Sequence, residues 1–198
     1  MITRALCGAI LAALTAVSAQ AAPPPLADPP WRHVTWGETS GEIAGAFGKA
    51  ATRLRTPIEF GDSYVDVVLR DQRIGGYPFT LYFQMDKTDH RLKRLMYERQ
   101  RHGANPRVFR AVMAELEQDY GPPTLTCNRK SGPRNGFQAG SERIWRQADV
   151  VIRAVLRDTT LEASEGCLQV TTFPCGLTGQ LFLQVAPRGT GANPEGCG

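Results

Sequence analysis

Apolar and polar residues alternate in three consecutive segments of the chain, and this period of two predicts three β-strands. The segments cover residues 64–70, 77–85 and 92–99, and in the second of them every odd position is apolar. Between the first two segments, Gly75 and Gly76 can adopt the positive φ angles that a tight hairpin turn requires. We therefore predict an antiparallel meander with one apolar face.

A segment with helical spacing precedes these strands. Thr39 and Glu42 fit a capping box, in which each side chain accepts a hydrogen bond from the backbone N–H of the other residue. The apolar residues that follow recur at i, i+3, i+4 and i+7, and they are Ile43, Ala46, Phe47 and Ala50. Gly48 weakens this helix, and Pro57 prevents its extension much beyond Thr56.

A second helix followed by strands begins at residue 105. Asn105 is a good N-cap, Pro106 suits the first helical position, and Gly121 with two prolines ends the pattern. The predicted apolar face consists of Phe109, Val112, Met113, Leu116 and Tyr120. After a short run at 124–127 and a Gly- and Pro-rich loop at 131–140, strands are predicted at 142–146, 150–157, 167–173 and 180–185.

This order of elements predicts an α+β fold of two helix-plus-antiparallel-meander units packed as one compact domain. The predicted organisation is a signal peptide at 1–21, a proline-rich leader at 22–30, a first unit at 31–104, and a second unit with a disulfide-linked C-terminal tail at 105–198. A chain of 198 residues is long enough to bury a sizeable core without a metal ion or cofactor.

Both predicted helices end in an aromatic residue followed by glycine, at Phe47-Gly48 and at Tyr120-Gly121, and one strand contains the run Pro-Phe-Thr-Leu-Tyr-Phe at 78–83. In these features the chain resembles two groups of envelope modules, the SmpA/OmlA outer-membrane assembly lipoproteins and the tandem-module β-lactamase inhibitor proteins. The resemblance covers about residues 36–173. It implies a tandem helix-plus-sheet fold and a role in protein binding, and it assigns no functional residue.

The N-terminal segment has the three parts of a signal peptide. They are Arg4 in a short basic region, an apolar run at 5–17, and the small-residue cleavage site Ala19-Gln20-Ala21. We expect the mature chain to begin at Ala22, in the periplasm or outside the cell. The apolar run is shorter than the roughly 20 residues of a spanning helix, so no transmembrane segment is expected. Cys7 lies at the start of this run, which disfavours a lipid anchor there.

Four cysteines follow the predicted cleavage site: Cys127, Cys167, Cys175 and Cys197. An even number of cysteines in an exported chain predicts disulfides, for which three connectivities exist. We favour Cys167–Cys175, which closes a short strand-turn-strand segment, together with Cys127–Cys197, which holds the glycine-rich terminus. Zinc is disfavoured because no pair has Cys-x-x-Cys spacing.

The sequence contains no recognisable catalytic or cofactor motif, and we expect no cofactor. The histidines (His33, His90 and His102) and the serines do not occur in a Gly-x-Ser-x-Gly elbow, and no glycine-rich loop has phosphate-binding spacing. Glu115 and Asp119 share one helix face, where a solvated pair is the ordinary interpretation. A small periplasmic hydrolase whose site assembles from distant residues is the alternative function.

Basic residues concentrate between positions 91 and 110, but their alternation divides them between the two faces of a strand. Arg94 and Arg99 have opposite parities on the third strand, and only the register decides which of them accompanies Tyr82. Tyr82 has the opposite parity to the apolar residues of its own strand. Tyr82, Arg94 and Arg99 are therefore the candidate binding surface, and arginines such as Arg153 and Arg157 are expected to face outward.

These observations predict an exported, non-enzymatic binding module. We expect a protein of the envelope as its partner, with an anionic glycan or a lipid headgroup as other candidates for a positive surface. The formal net charge of +4 is too small to predict a nucleic-acid partner.

Overall fold

The computed structural model describes residues 33–99, 105–130, 139–158, 179–193 and 195–197. The signal peptide, the proline-rich leader, His102, Cys167, Cys175 and the strand predicted at 167–173 lie outside these ranges. Two α-helices are described, α1 (Ser40–Phe47) and α2 (Pro106–Tyr120). The described strands are β1 (Ala51–Glu59), β2 (Ser63–Ile74), β3 (Tyr77–Asp86), β4 (Leu92–Glu98), β5 (Leu125–Lys130), β6 (Ala139–Arg146), β7 (Val150–Asp158) and β8 (Gly179–Pro187).

The described strands form one antiparallel sheet in the order β1-β2-β3-β4-β8-β7-β6-β5. Strands β1 and β5 are therefore the edges, and the last strand lies beside β4 in the centre. The central pairing places Leu95 opposite Val185 and Tyr97 opposite Leu183. A single sheet with two helices confirms the α+β class.

Both helices pack on one face of the sheet. The odd-numbered residues Leu81, Phe83 and Met85 of β3 are fully buried there, in a cluster that also contains residues of β4, β7, β8 and both helices. Five buried side chains of α2 contribute to it: Val108, Phe109, Val112, Met113 and Leu116. The predicted alternation of β3 and the predicted apolar face of α2 are both confirmed, except that Tyr120 is half-buried.

The capping box of α1 is present: the backbone N–H of Thr39 donates to Glu42 Oε2 over 2.8 Å, and that of Glu42 donates to Thr39 Oγ1 over 3.4 Å. The predicted apolar stripe was too wide, because only Ile43 is buried and Ala46 and Ala50 are exposed. The α-helix ends at Phe47, where Gly48 adopts φ 51°, and Ala50 belongs to a short 3₁₀ turn, Gly48–Ala50, that follows it.

The sequence pattern did not predict β1. With this strand included, the predicted three-stranded meander has four strands. This edge strand is mostly exposed and carries Pro57, so it shows no alternation. It pairs with β2 at Ala51–Arg53 and again at Ile58–Glu59, with an irregularity between. A proline without a donor N–H is tolerated at such an edge. At the opposite end, β6 begins within the segment 131–140 that was predicted to be a loop.

The β2–β3 hairpin and α2 meet at Gly75. This residue has φ +60°, and a Cβ there would lie 2.7 Å from the backbone of Ala111 and Val112, so glycine is required for two reasons. Its N–H donates to Glu115 Oε2 over 2.6 Å. The interpretation of Glu115 and Asp119 as a solvated pair was therefore wrong for Glu115, which is half-buried and holds α2 against the hairpin.

The C-terminal tail crosses the edge half of the sheet and is joined to β5 by the predicted Cys127–Cys197 disulfide, with a Cα–Cα distance of 5.7 Å. Asn193 Nδ2 donates to the carbonyl of Val151 over 3.3 Å, and the Arg146 guanidinium donates to the carbonyl of Glu195. These contacts attach the tail to β5, β6 and β7. No helix within the described ranges is both long enough and apolar enough to cross a membrane.

Candidate functional site

Tyr82 lies on the face of the sheet opposite to the two helices. Its neighbours there are Met96, Val155 and Phe182, which form a second, smaller apolar cluster, with Phe60 packed against it. We call this surface of β3, β4, β7 and β8 the Tyr82 face. Tyr82 itself is half-buried, and burial raises the pKa of its phenol. It is therefore part of a packed layer and less exposed than predicted.

The register separates the two arginines of the candidate surface. Tyr82 pairs with Met96 and Gln84 pairs with Arg94, so Arg94 shares the Tyr82 face. Arg99 follows β4 with the opposite parity, and its guanidinium lies 5.2 Å from the centroid of the Tyr77 ring. The three predicted residues thus form two groups, Tyr82 with Arg94 and Arg99 with Tyr77.

A cleft of about 280 Å³ opens on the Tyr82 face, between the β1–β2 turn and the four central strands. Its described lining combines the apolar side chains Phe60, Met96 and Phe182 with three glutamines and four charged groups. The polar and charged residues of the lining are Asp62, Gln84, Arg94, Glu98, Arg157, Gln180 and Gln184.

Arg94 is only 9% exposed and donates to three acceptors. They are Gln84 Oε1, the carbonyl of Ala192 at 2.6 Å and Asp62 Oδ1 at 2.9 Å. One acceptor is on the neighbouring strand, one in the β1–β2 turn and one in the C-terminal tail. Arg94 therefore connects three parts of the chain, and its charged end is engaged by these contacts within the protein.

The carboxylate of Asp62 balances two cations. Lys93 Nζ lies 3.2 Å from Asp62 Oδ2, and Arg94 binds the other oxygen. Burial raises the pKa of Asp62, but the charges and hydrogen bonds of Arg94 and Lys93 outweigh this effect, and the pKa is lowered. Asp62 is therefore ionised at neutral pH, and one edge of the cleft consists of compensated charges.

A second ion pair is buried on the Tyr82 face. Arg153 is 7% exposed and Glu142 3% exposed, and the guanidinium donates to Glu142 Oε1 at 2.8 Å and Oε2 at 3.2 Å. Arg153 also donates to Gln184 Oε1 over 3.3 Å. Arg153 does have the parity opposite to the core, as predicted, but it is buried on that face. Only the pairing of β6 with β7 could have placed Glu142 beside it.

The remaining polar groups of the cleft are held by neighbours as well. Gln180 Nε2 donates to Glu98 Oε1 over 3.3 Å, and the Arg157 guanidinium lies 5.3 Å from the centroid of the Phe182 ring. A cation over an aromatic face is attracted by the ring quadrupole, so Phe182 orients Arg157. The cleft is therefore built from side chains that neighbouring groups on central strands hold in place.

One serine and one histidine of the described residues have side-chain partners outside the cleft. Ser40 Oγ donates to Asp66 Oδ1 over 2.7 Å, and His90 Nδ1 lies 3.1 Å from the Tyr64 hydroxyl. The Ser40 hydroxyl is thus bound to a carboxylate, and the His90 ring lies beside a phenol. In the described part of the chain, no three or more His, Cys, Asp and Glu side chains are grouped so that they could hold a metal ion.

Comparison with known proteins finds no match, whether to a protein-family model, to a curated protein or to a solved structure. The resemblance to tandem envelope modules therefore stays a prediction from the sequence.

Proposed function

We propose that this chain is an exported, non-enzymatic binding module whose contact surface is the Tyr82 face around its cleft. The observation that carries this proposal is the construction of the cleft, which combines three apolar side chains with polar side chains already held in place by hydrogen bonds. Binding sites in proteins generally have this combination, because preformed polar groups orient a ligand while apolar contacts supply affinity.

The predicted two-unit organisation supports the same surface. Two units, each a helix followed by antiparallel strands, would produce the observed strand order if their last strands, β4 and β8, paired with each other. The cleft is lined from both sides of that junction, by Gln84 and Arg94 on one side and by Arg157 and Gln184 on the other. Tandem units would thus form a surface that neither provides alone.

The residues of the cleft also bear on the class of partner. Arg94, the cation expected to attract an anionic glycan or a lipid headgroup, is paired with Asp62. This pairing weakens the case for an anionic partner at this face. A protein surface or a neutral polysaccharide chain is then the better candidate. Export is supported by the Cys127–Cys197 disulfide, because such bonds persist in oxidising compartments.

Site-specific photocrosslinking tests the proposal. A benzophenone amino acid replaces Tyr82 in one variant and Phe60 in a second, and the matched control replaces Gln118, an exposed residue of α2 on the helical side. In the native envelope we expect adducts from the first two positions, which an excess of unlabelled protein suppresses. Absence of adducts at both positions, or the same adducts from Gln118, would contradict binding through the Tyr82 face.

A further inference from the structure

We infer that the cleft of the Tyr82 face binds a neutral saccharide unit of a polysaccharide chain. This inference rests on the proposed binding function of that face and names the chemistry of its ligand.

The charges of the cleft favour a neutral ligand. The described lining contains two carboxylates, Asp62 and Glu98, and two guanidinium groups, Arg94 and Arg157. Asp62 and Arg94 are paired at 2.9 Å, and the adjacent Arg153 is paired with Glu142. An ionic ligand gains little from a site whose charges cancel, and it loses its own hydration on entering. A neutral ligand avoids this cost.

The cleft contains a mixture of hydrogen-bonding groups that suits a saccharide. Glutamine amides both donate and accept, carboxylates accept, and guanidinium groups donate. The cleft presents all three kinds on planar, oriented side chains, notably Gln180, Gln184 and Glu98. Hydroxyl groups on a sugar ring also donate and accept, so they match such a set without leaving a polar group unsatisfied. The C–H groups of a ring can contact the apolar side chains of Phe60 and Met96.

The position of the cleft in the sheet favours a saccharide over a peptide. An extended peptide gains affinity by adding its main chain to an exposed strand edge. The cleft lies over central strands, where β4 is hydrogen-bonded to β3 on one side and to β8 on the other. No ladder position is open to a peptide backbone there, so recognition depends on side chains alone. The volume of about 280 Å³ lies just below the range of about 300 to 1,000 Å³ for small-molecule sites, which fits a single ring-sized unit.

Isothermal titration calorimetry of the full mature chain tests this inference. The probes are neutral tetrasaccharides of glucose, mannose and N-acetylglucosamine, with tetragalacturonate as the anionic counterpart, each at low and at high NaCl. We expect at least one neutral probe to bind, with an affinity that changes by less than about twofold between the two salt concentrations, because screening acts on charge pairs.

Variants then locate the binding. Gln180→Ala and Glu98→Gln each remove one cleft group, and each should weaken the neutral probe roughly fivefold to tenfold, the effect of one hydrogen bond. Gln118→Ala on α2 is the matched control and should bind like the wild type. Thermal unfolding of each variant shows whether it is folded. If Gln180→Ala does not fold, the conservative Glu98→Gln variant still tests the inference.

Four results would overturn the inference: no neutral probe binds, tetragalacturonate binds more tightly with strong salt dependence, cleft variants bind like the wild type, or a protein occupies the cleft in the crosslinking experiment. The last result would leave the proposed binding function standing. Failure of both the crosslinking and the calorimetry would contradict the two proposals together.

Discussion

The side chains on the two faces of the sheet are packed by different means. On the helical face, α1 and α2 cover apolar side chains such as Phe83 and Leu81, and dispersion and the hydrophobic effect account for the packing. On the Tyr82 face, the described contacts are a small apolar cluster next to two ion pairs, Arg94–Asp62 and Arg153–Glu142. The comparison shows that a residue without the core parity can still be buried when a neighbouring strand supplies its partner.

Truncation of an aromatic residue on each face should give the largest contrast. Phe83→Ala is expected to cost about 3 to 5 kcal/mol of unfolding free energy, because it leaves a cavity in the core. Tyr82→Ala should cost less, about 1 to 2 kcal/mol, because its side chain is only half-buried. Urea denaturation of both variants measures the difference. A larger loss for Tyr82→Ala would show that the two faces are assigned the wrong way round.

Breaking the buried Arg153–Glu142 pair on the Tyr82 face should lower the unfolding free energy about as much as truncating a core side chain. Glu142→Ala leaves the Arg153 charge buried, and we expect a loss of about 3 kcal/mol, the lower end for such pairs, because Gln184 still accepts from Arg153. Replacing both residues, Glu142→Leu with Arg153→Met, should recover most of this loss. If the single and the double variants were equally stable in urea denaturation, the ion pair would not be the determinant of packing at this position.

Removal of the disulfide tests how the tail supports the Tyr82 face. The Cys127→Ser/Cys197→Ser variant should lose about 2 to 4 kcal/mol, because the bond closes a segment of 70 residues. Hydrogen exchange should rise first in the tail around Ala192 and then at Arg94, whose guanidinium donates to the Ala192 carbonyl. Unchanged exchange in the tail would mean that its contacts with Val151 and Arg146 suffice without the bond.

Two carboxyl groups, Asp62 near the Tyr82 face and Glu115 on the helical side, should change stability with pH in opposite directions. The lowered pKa of Asp62 means that its contribution is present above its unfolded pKa of about 3.9 and is lost as the pH falls towards the folded value. Burial and the nearby Asp119 charge raise the pKa of Glu115 despite the Gly75 hydrogen bond, so stability falls as the pH rises above about 4.3.

Each effect should be below about 1 kcal/mol, because both side chains retain contact with solvent. Thermal unfolding of Asp62→Asn and Glu115→Gln against the wild type, from acid to neutral pH, measures the two slopes. The comparison fails if, for both variants, the difference in stability from the wild type changes with pH in the same direction.

Local signals in the sequence determined much of the scaffold. Three of these signals involve only residues that are close in the chain, and all three are present in the structure. They are the capping box at Thr39, the N-cap Asn105 of α2 and the alternation along β3. The β1 strand was missed because an exposed edge strand with a proline has no alternation to detect.

The candidate site depended instead on contacts between distant residues. Arg94 reaches Asp62 across 32 positions and Ala192 across 98, and Arg153 reaches Glu142 across a strand pairing. Alternation specifies which parity a side chain has, but the partner on the next strand follows only from the register and from the order β4-β8-β7. The sequence alone thus predicted the helices and most strands, and it favoured the Cys127–Cys197 pairing among three possible connectivities. Only the tertiary structure decided which charges meet and where the cleft opens, because both are properties of strands brought together by folding.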